Sequence, residues 1–119
     1  MSTIQKQPED MLPLTPAVFH ILLALADGEK HGYGIMQEVE AITSGRVKMG
    51  PGTLYGTIKR MLDKDLIEET NERPDPDLDD ERRRYYCLTG FGQAVMTAEV
   101  RRMTQLVDVA RTKQLPGVT

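Results

Sequence analysis

At residue 65 the spacing of the apolar residues changes, and that change limits the fold more than any other feature of the chain. Before it, apolar side chains recur every three or four positions in three successive segments, the signature of amphipathic helices. After it come two short segments, 66–70 and 84–88, the second rich in strand formers (Tyr85, Tyr86). Between them lies NERPDPDLDDERR, with prolines at 74 and 76, so the two segments are expected to pair as a hairpin around a long polar loop. A helical pattern resumes behind Thr89, a good N-cap, and reaches about Thr112.

The three leading segments carry their own start and stop signals. Thr15-Pro16 supplies an N-cap and a proline at the first helical position. Val18, Phe19, Ile21, Leu22, Leu23 and Leu25 make the helix behind it apolar nearly all round, which places it at the centre of the core. It stops at Asp27-Gly28. A second helix over about 31–43 turns Ile35, Met36, Val39 and Ile42 inward and ends at Ser44-Gly45. RVKMG then leads, as a short extended piece, to a third helix, GPGTLYGTIKRML, over residues 50–62. Three helices and a hairpin, with helices two and three joined by a tight segment, describe a winged helix-turn-helix: mainly α with a small β-hairpin, followed by one C-terminal helix.

The third helix has an uneven distribution of charge. Leu54, Ile58, Met61 and Leu62 would bury one edge, and the opposite edge carries no carboxylate before Asp63. At 3.6 residues per turn, Gly52, Gly56, Lys59 and Arg60 cluster opposite Leu54. A helix that enters the major groove needs such a face, because carboxylates there would repel phosphates. Glycine lets its backbone approach closely, while Lys59, Arg60 and Thr53 can reach bases or phosphates. Tyr55 lies at the boundary of the two faces, where its ring can pack and its hydroxyl reach outward.

The net charge of −3 argues at first against a nucleic-acid partner. Ten acidic residues between positions 63 and 81 account for it, and they are flanked by basic groups. Arg46, Lys48, Lys59 and Arg60 precede the block, and Arg82, Arg83 and Arg84 follow it. Phosphate responds to the local field, so the whole-chain charge is a poor guide. The three arginines would meet the DNA backbone or pair with Glu68, Glu69 and Glu72 across the hairpin. The acidic loop tip itself should project away from phosphate. It lacks the glycine and glutamate positions of an EF-hand, so no metal is expected.

The C-terminal helix shows Met96, Val100, Met103, Val107 and Ala110 at spacings of four, three, four and three, a heptad seam that Leu106 and Val109 widen and Gln93 extends. Beyond a wing there is little of its own domain for such a helix to cover, so a partner copy is the expected burial, with packing back on its own domain as the alternative. At 119 residues the chain is about one domain. Its longest apolar run, 21–26, is too short to span a bilayer, and its N-terminus does not read as a secretory signal. The single cysteine, Cys87, excludes an internal disulfide and a multi-cysteine zinc site. A cytoplasmic protein without cofactor, metal or membrane partner is expected. His20 and His31 have no readable nucleophile or paired carboxylate near them, so an enzyme is not expected.

The runs LTPAVFHILLALADGEKHGYGIMQEVE, GPGTLYGTIKRMLDKDLIEE and RRRYYCLTGFG, occurring together in order, resemble the PadR family of bacterial transcriptional regulators over roughly residues 12–112. The length fits the short branch of that family, with a single dimerising C-terminal helix. The resemblance implies a homodimeric repressor that binds double-stranded DNA at an operator and releases it when a small-molecule effector binds. It also adds Tyr33, in HGY, to the candidate DNA-binding residues, beside the TLY tyrosine Tyr55. The segments are then a flexible N-terminal arm (1–13), a winged-helix DNA-binding domain (14–88), a dimerisation helix (89–113) and a frayed tail (114–119). A winged helix used only for protein contacts is the alternative function.

Overall fold

The structure, a computed structural model, describes residues 6–70 and 84–119. Four helices and three strands follow in the order α1 (Pro16–Ala24), β1 (Lys30–His31), α2 (Gly32–Ile42), α3 (Pro51–Asp63), β2 (Ile67–Thr70), β3 (Tyr85–Leu88) and α4 (Gly90–Thr112). This is a winged helix-turn-helix extended by one long helix. No helix among the described residues is long and apolar enough to cross a membrane.

The helices begin where short-range chemistry dictates. The Thr15 hydroxyl accepts the Val18 N–H (3.3 Å) with Pro16 behind it, and α1 buries Ile21, Leu22 and Ala24 completely. His31 caps α2 through Nδ1, which accepts the Gly34 N–H at 3.0 Å. Gly50 gives α3 no side-chain cap, so Pro51 alone fixes its start. The core joins α1 to Ile35 and Val39 of α2, Leu54, Ile58 and Met61 of α3, Leu66 just before β2, Ile67 and Tyr86 of the sheet, and Val95 and Met96 of α4.

Two features depart from the sequence expectation. The sheet has three strands in the order β1-β3-β2, not two, because Lys30 and His31 pair antiparallel with Tyr86 and Tyr85. Two residues are too few to show a period, so β1 has no sequence signature. The second concerns residues 1–13, expected as a flexible arm, of which 1–5 lie outside the described residues and 6–13 are described. Pro8–Met11 forms a 3-10 turn packed on α4, and Met11 and Leu12 lie against the core. The reason sits in α4: Glu99, fully buried, accepts the Leu14 N–H through Oε2 at 2.8 Å and the Arg102 guanidinium through Oε1. The Arg102 hydrogen bond holds the Glu99 carboxyl below its usual range against the opposing cost of desolvation, and the Leu14 N–H adds to it. A lowered carboxylate contributes stability above the ordinary carboxylate range and loses it as pH falls through the lowered value.

The start of α4 is tied to the sheet. The Thr89 hydroxyl accepts the Gly92 N–H at 2.9 Å and donates to the Asp65 carbonyl at 2.5 Å, while the Thr89 N–H reaches the Leu66 carbonyl at 3.2 Å. A β-carbon on Gly92 would overlap that same Leu66 carbonyl oxygen. This seat directs α4 outward. Val95, Met96 and Glu99 pack on the domain, and beyond them Val100, Leu106, Val107 and Val109 are exposed. Met96, read as part of the intermolecular seam, is only 7% exposed and belongs to the protomer's own core.

Candidate nucleic-acid interface

The α3 helix divides cleanly between core and solvent. Leu54, Thr57, Ile58 and Met61 are buried. Thr57 is a polar member that the sequence reading missed, and its hydroxyl is satisfied by donating to the Thr53 carbonyl at 2.7 Å. Pro51, Gly52, Thr53, Tyr55, Lys59 and Arg60 are exposed, with Gly56 half-buried among them. No carboxylate lies on this stretch before Asp63, and Lys59 has no ion-pair partner among the described residues.

The two glycines of this face have no internal reason to be glycine. A β-carbon on Gly52 would meet nothing within 4 Å, and one on Gly56 only the Arg60 Nη1 at 3.8 Å. Glycine inside a helix costs about 0.5–1 kcal/mol relative to alanine. The protomer's packing does not offset that cost.

The third helix glycine contact is different. A β-carbon on Gly32, the first residue of α2, would collide with the hydroxyl and ring of Tyr55. Tyr55 thus lies across the start of α2 while remaining 48% exposed. Tyr33, 52% exposed, stacks on the His31 ring (centroids 6.5 Å apart, planes 3° apart), and His31 meets Tyr85 edge-on at 5.3 Å. Gly32→Ala should displace the Tyr55 ring at its flexible end with a stability loss of about 1 kcal/mol or less. The Tyr55 ring resonances in NMR and thermal unfolding measure the two effects. A larger loss, equal to a core mutation, would mean that the glycine serves the backbone and not the tyrosine.

Three further cations have polar partners within the protomer. Arg60 turns back along its helix, donating from Nη2 to the Thr57 hydroxyl at 3.2 Å. Lys48 stands 4.0 Å from Glu40 and Arg84 pairs with Glu69 across the hairpin at 3.2 Å. For Arg84 the cross-hairpin alternative is the one observed, an exposed pair worth at most about 1 kcal/mol. Arg82, Arg83 and the acidic loop tip lie outside the described residues. Among the described residues no cluster of histidine, cysteine, aspartate or glutamate could hold a metal ion.

Comparison with known proteins supplies a context for this geometry. The sequence profile of the transcriptional regulator PadR-like family matches residues 21–98. An uncharacterized 37.1 kDa protein in transposon TN4556 of Streptomyces fradiae is 36% identical over 86 residues. The match covers 72% of this chain and 22% of that relative, so the chain spans about a fifth of the relative's length. Among solved structures, a PadR family transcription regulator from hypervirulent Clostridium difficile R20291 superposes with a TM-score of 0.68 at 22% identity, over 85% of this chain and 100% of that one. BpsR of Bordetella bronchiseptica superposes with a TM-score of 0.63 at 23% identity, over 92% and 76% of the two chains. At such identities the superpositions speak for the fold.

Proposed function

The chain belongs to the PadR-like family of transcriptional regulators, and from that premise we propose that it is a sequence-specific DNA-binding repressor acting as a homodimer on a pseudo-palindromic operator. Family and fold are those of transcription regulators and not of enzymes. The observation that carries the reading is the outer face of α3, where Gly52 and Gly56, two glycines without an internal purpose, share a face with Lys59, which has no ion-pair partner among the described residues, and no carboxylate intervenes. In this reading Gly52, Thr53, Gly56 and Lys59 approach the groove and Tyr55 and Tyr33 border it. Residues 14–88 form the DNA-binding unit and 89–113 the dimerisation helix, whose exposed Val100, Leu106, Val107 and Val109 support burial against a second copy. BpsR has its DNA binding regulated by 6-hydroxynicotinic acid, and we extend control by a small-molecule effector to this chain.

The net charge of −3 favours the second reading, a winged helix that binds protein only. Fluorescence anisotropy on duplexes from the upstream region, at several salt concentrations, separates the two. The DNA reading requires log affinity to fall linearly with log salt. In Lys59→Ala the slope should drop by about one unit if the lysine meets a phosphate, or sequence preference should relax if it meets a base. Salt-independent binding would favour the protein-interaction module.

A further inference from the structure

A cavity of about 180 Å3 opens between the N-terminal segment, the start of α1 and the end of α3. Met11, Pro13, Leu14, Val18, Met61 and Leu66 supply its apolar lining, and Thr15, Arg60 and Lys64 its polar lining. Among the described residues neither cation is ion-paired. Arg60 spends one N–H on Thr57 and keeps the others. The wall formed by the N-terminal segment is fixed, because Glu99 holds the Leu14 N–H and Thr15 caps α1. Apolar cavities of about 150 Å3 hold a six-carbon body.

We infer that this cavity binds a short-chain aliphatic carboxylate of about six carbons, its chain among the methionines and its head between Arg60 and Lys64. The lining contains no aromatic ring on which a planar body would stack. An apolar body suits the walls, and a single anionic group answers two unpaired cations without burying them. The six-carbon limit follows from the volume. Resting on the DNA reading above, the bound head would also draw Arg60 further from the outer face of α3.

Hexanoate is the probe, followed through the methyl resonances of the methionines in the intact chain. The ε-methyls of Met11 and Met61 should shift saturably, in roughly the millimolar range, while Met103 stays fixed. Affinity should rise about three- to four-fold per methylene from butanoate to hexanoate and then level off at octanoate. Lys64→Gln should weaken hexanoate by about two- to five-fold with unchanged folding. A Val18→Met chain, which narrows the cavity, should bind hexanoate more weakly and level off at a shorter chain. Shifts at Met103 instead, no saturation, equal binding of hexanol, or tighter binding of benzoate would overturn the assignment. These readouts need no DNA, so they fail independently of the function proposed above. With a duplex added, hexanoate should weaken binding by wild type more than by Lys64→Gln, and equal weakening of both would refute the link to Arg60.

Discussion

Gly92→Ala should lower the melting temperature by about 10 °C or more, a loss of about 3 kcal/mol. Alanine in place of a helix glycine ordinarily gains 0.5–1 kcal/mol. Here the added carbon would fall inside the Leu66 carbonyl oxygen. That oxygen already accepts the Thr89 N–H at 3.2 Å, so it cannot step aside without breaking the junction of the residue before β2 with the start of α4. Overlap with backbone outweighs the entropic gain by a factor of several. Calorimetric unfolding decides the matter. An unchanged or raised melting temperature would mean that α4 does not sit on β2 as described.

Replacing Val100 and Val107 together by aspartate should convert the proposed dimer to monomer. Both side chains are 44% exposed in the single protomer, on the part of α4 that has left its own domain. The substitutions therefore cost the isolated fold little, within about 0.5 kcal/mol each. In a dimer seam they would place two carboxylates per chain in an apolar contact, several kcal/mol each and at least about a thousand-fold in dissociation constant. Sedimentation velocity reads the outcome, with thermal unfolding as the check that the fold survives. A dimer that persists would put the interface elsewhere.

How much of this was legible in the sequence follows from the range of each interaction. Thr15-Pro16, Pro51 and Thr89 act on residues three or four positions away, and the helices begin behind them as expected. The roles of Gly32 and Gly92 depend on Tyr55 and Leu66, more than twenty residues off, and no local pattern encodes such approaches. Glu99 is the clearest case. It is fully buried because its partner, Leu14, lies 85 residues earlier, and nothing in the sequence near it marks that burial. The same contact holds the residue that follows the described part, 6–13, of the segment read as a mobile arm. For the candidate interface, the exposure of Lys59, Thr53 and Tyr55 follows from helical spacing alone. The directions of Arg60 and Arg84 do not, since long side chains choose among partners that only the folded chain brings near.

The central claim is that the outer face of α3 is shaped for DNA and not for the protomer. Gly56→Ala tests it most directly, because the two effects of the substitution have opposite signs. The added carbon meets only the tip of Arg60 at 3.8 Å, so the fold should gain about 0.5–1 kcal/mol. If the helix backbone lies against DNA, the same carbon should weaken binding by about ten-fold, close to the cost of one lost close contact. The measurement is the affinity of this variant for operator duplex by fluorescence anisotropy at fixed salt, with its melting temperature recorded alongside. A raised melting temperature with affinity reduced about ten-fold is the predicted result. A raised melting temperature with affinity equal to wild type would contradict it and remove α3's glycine face from the DNA.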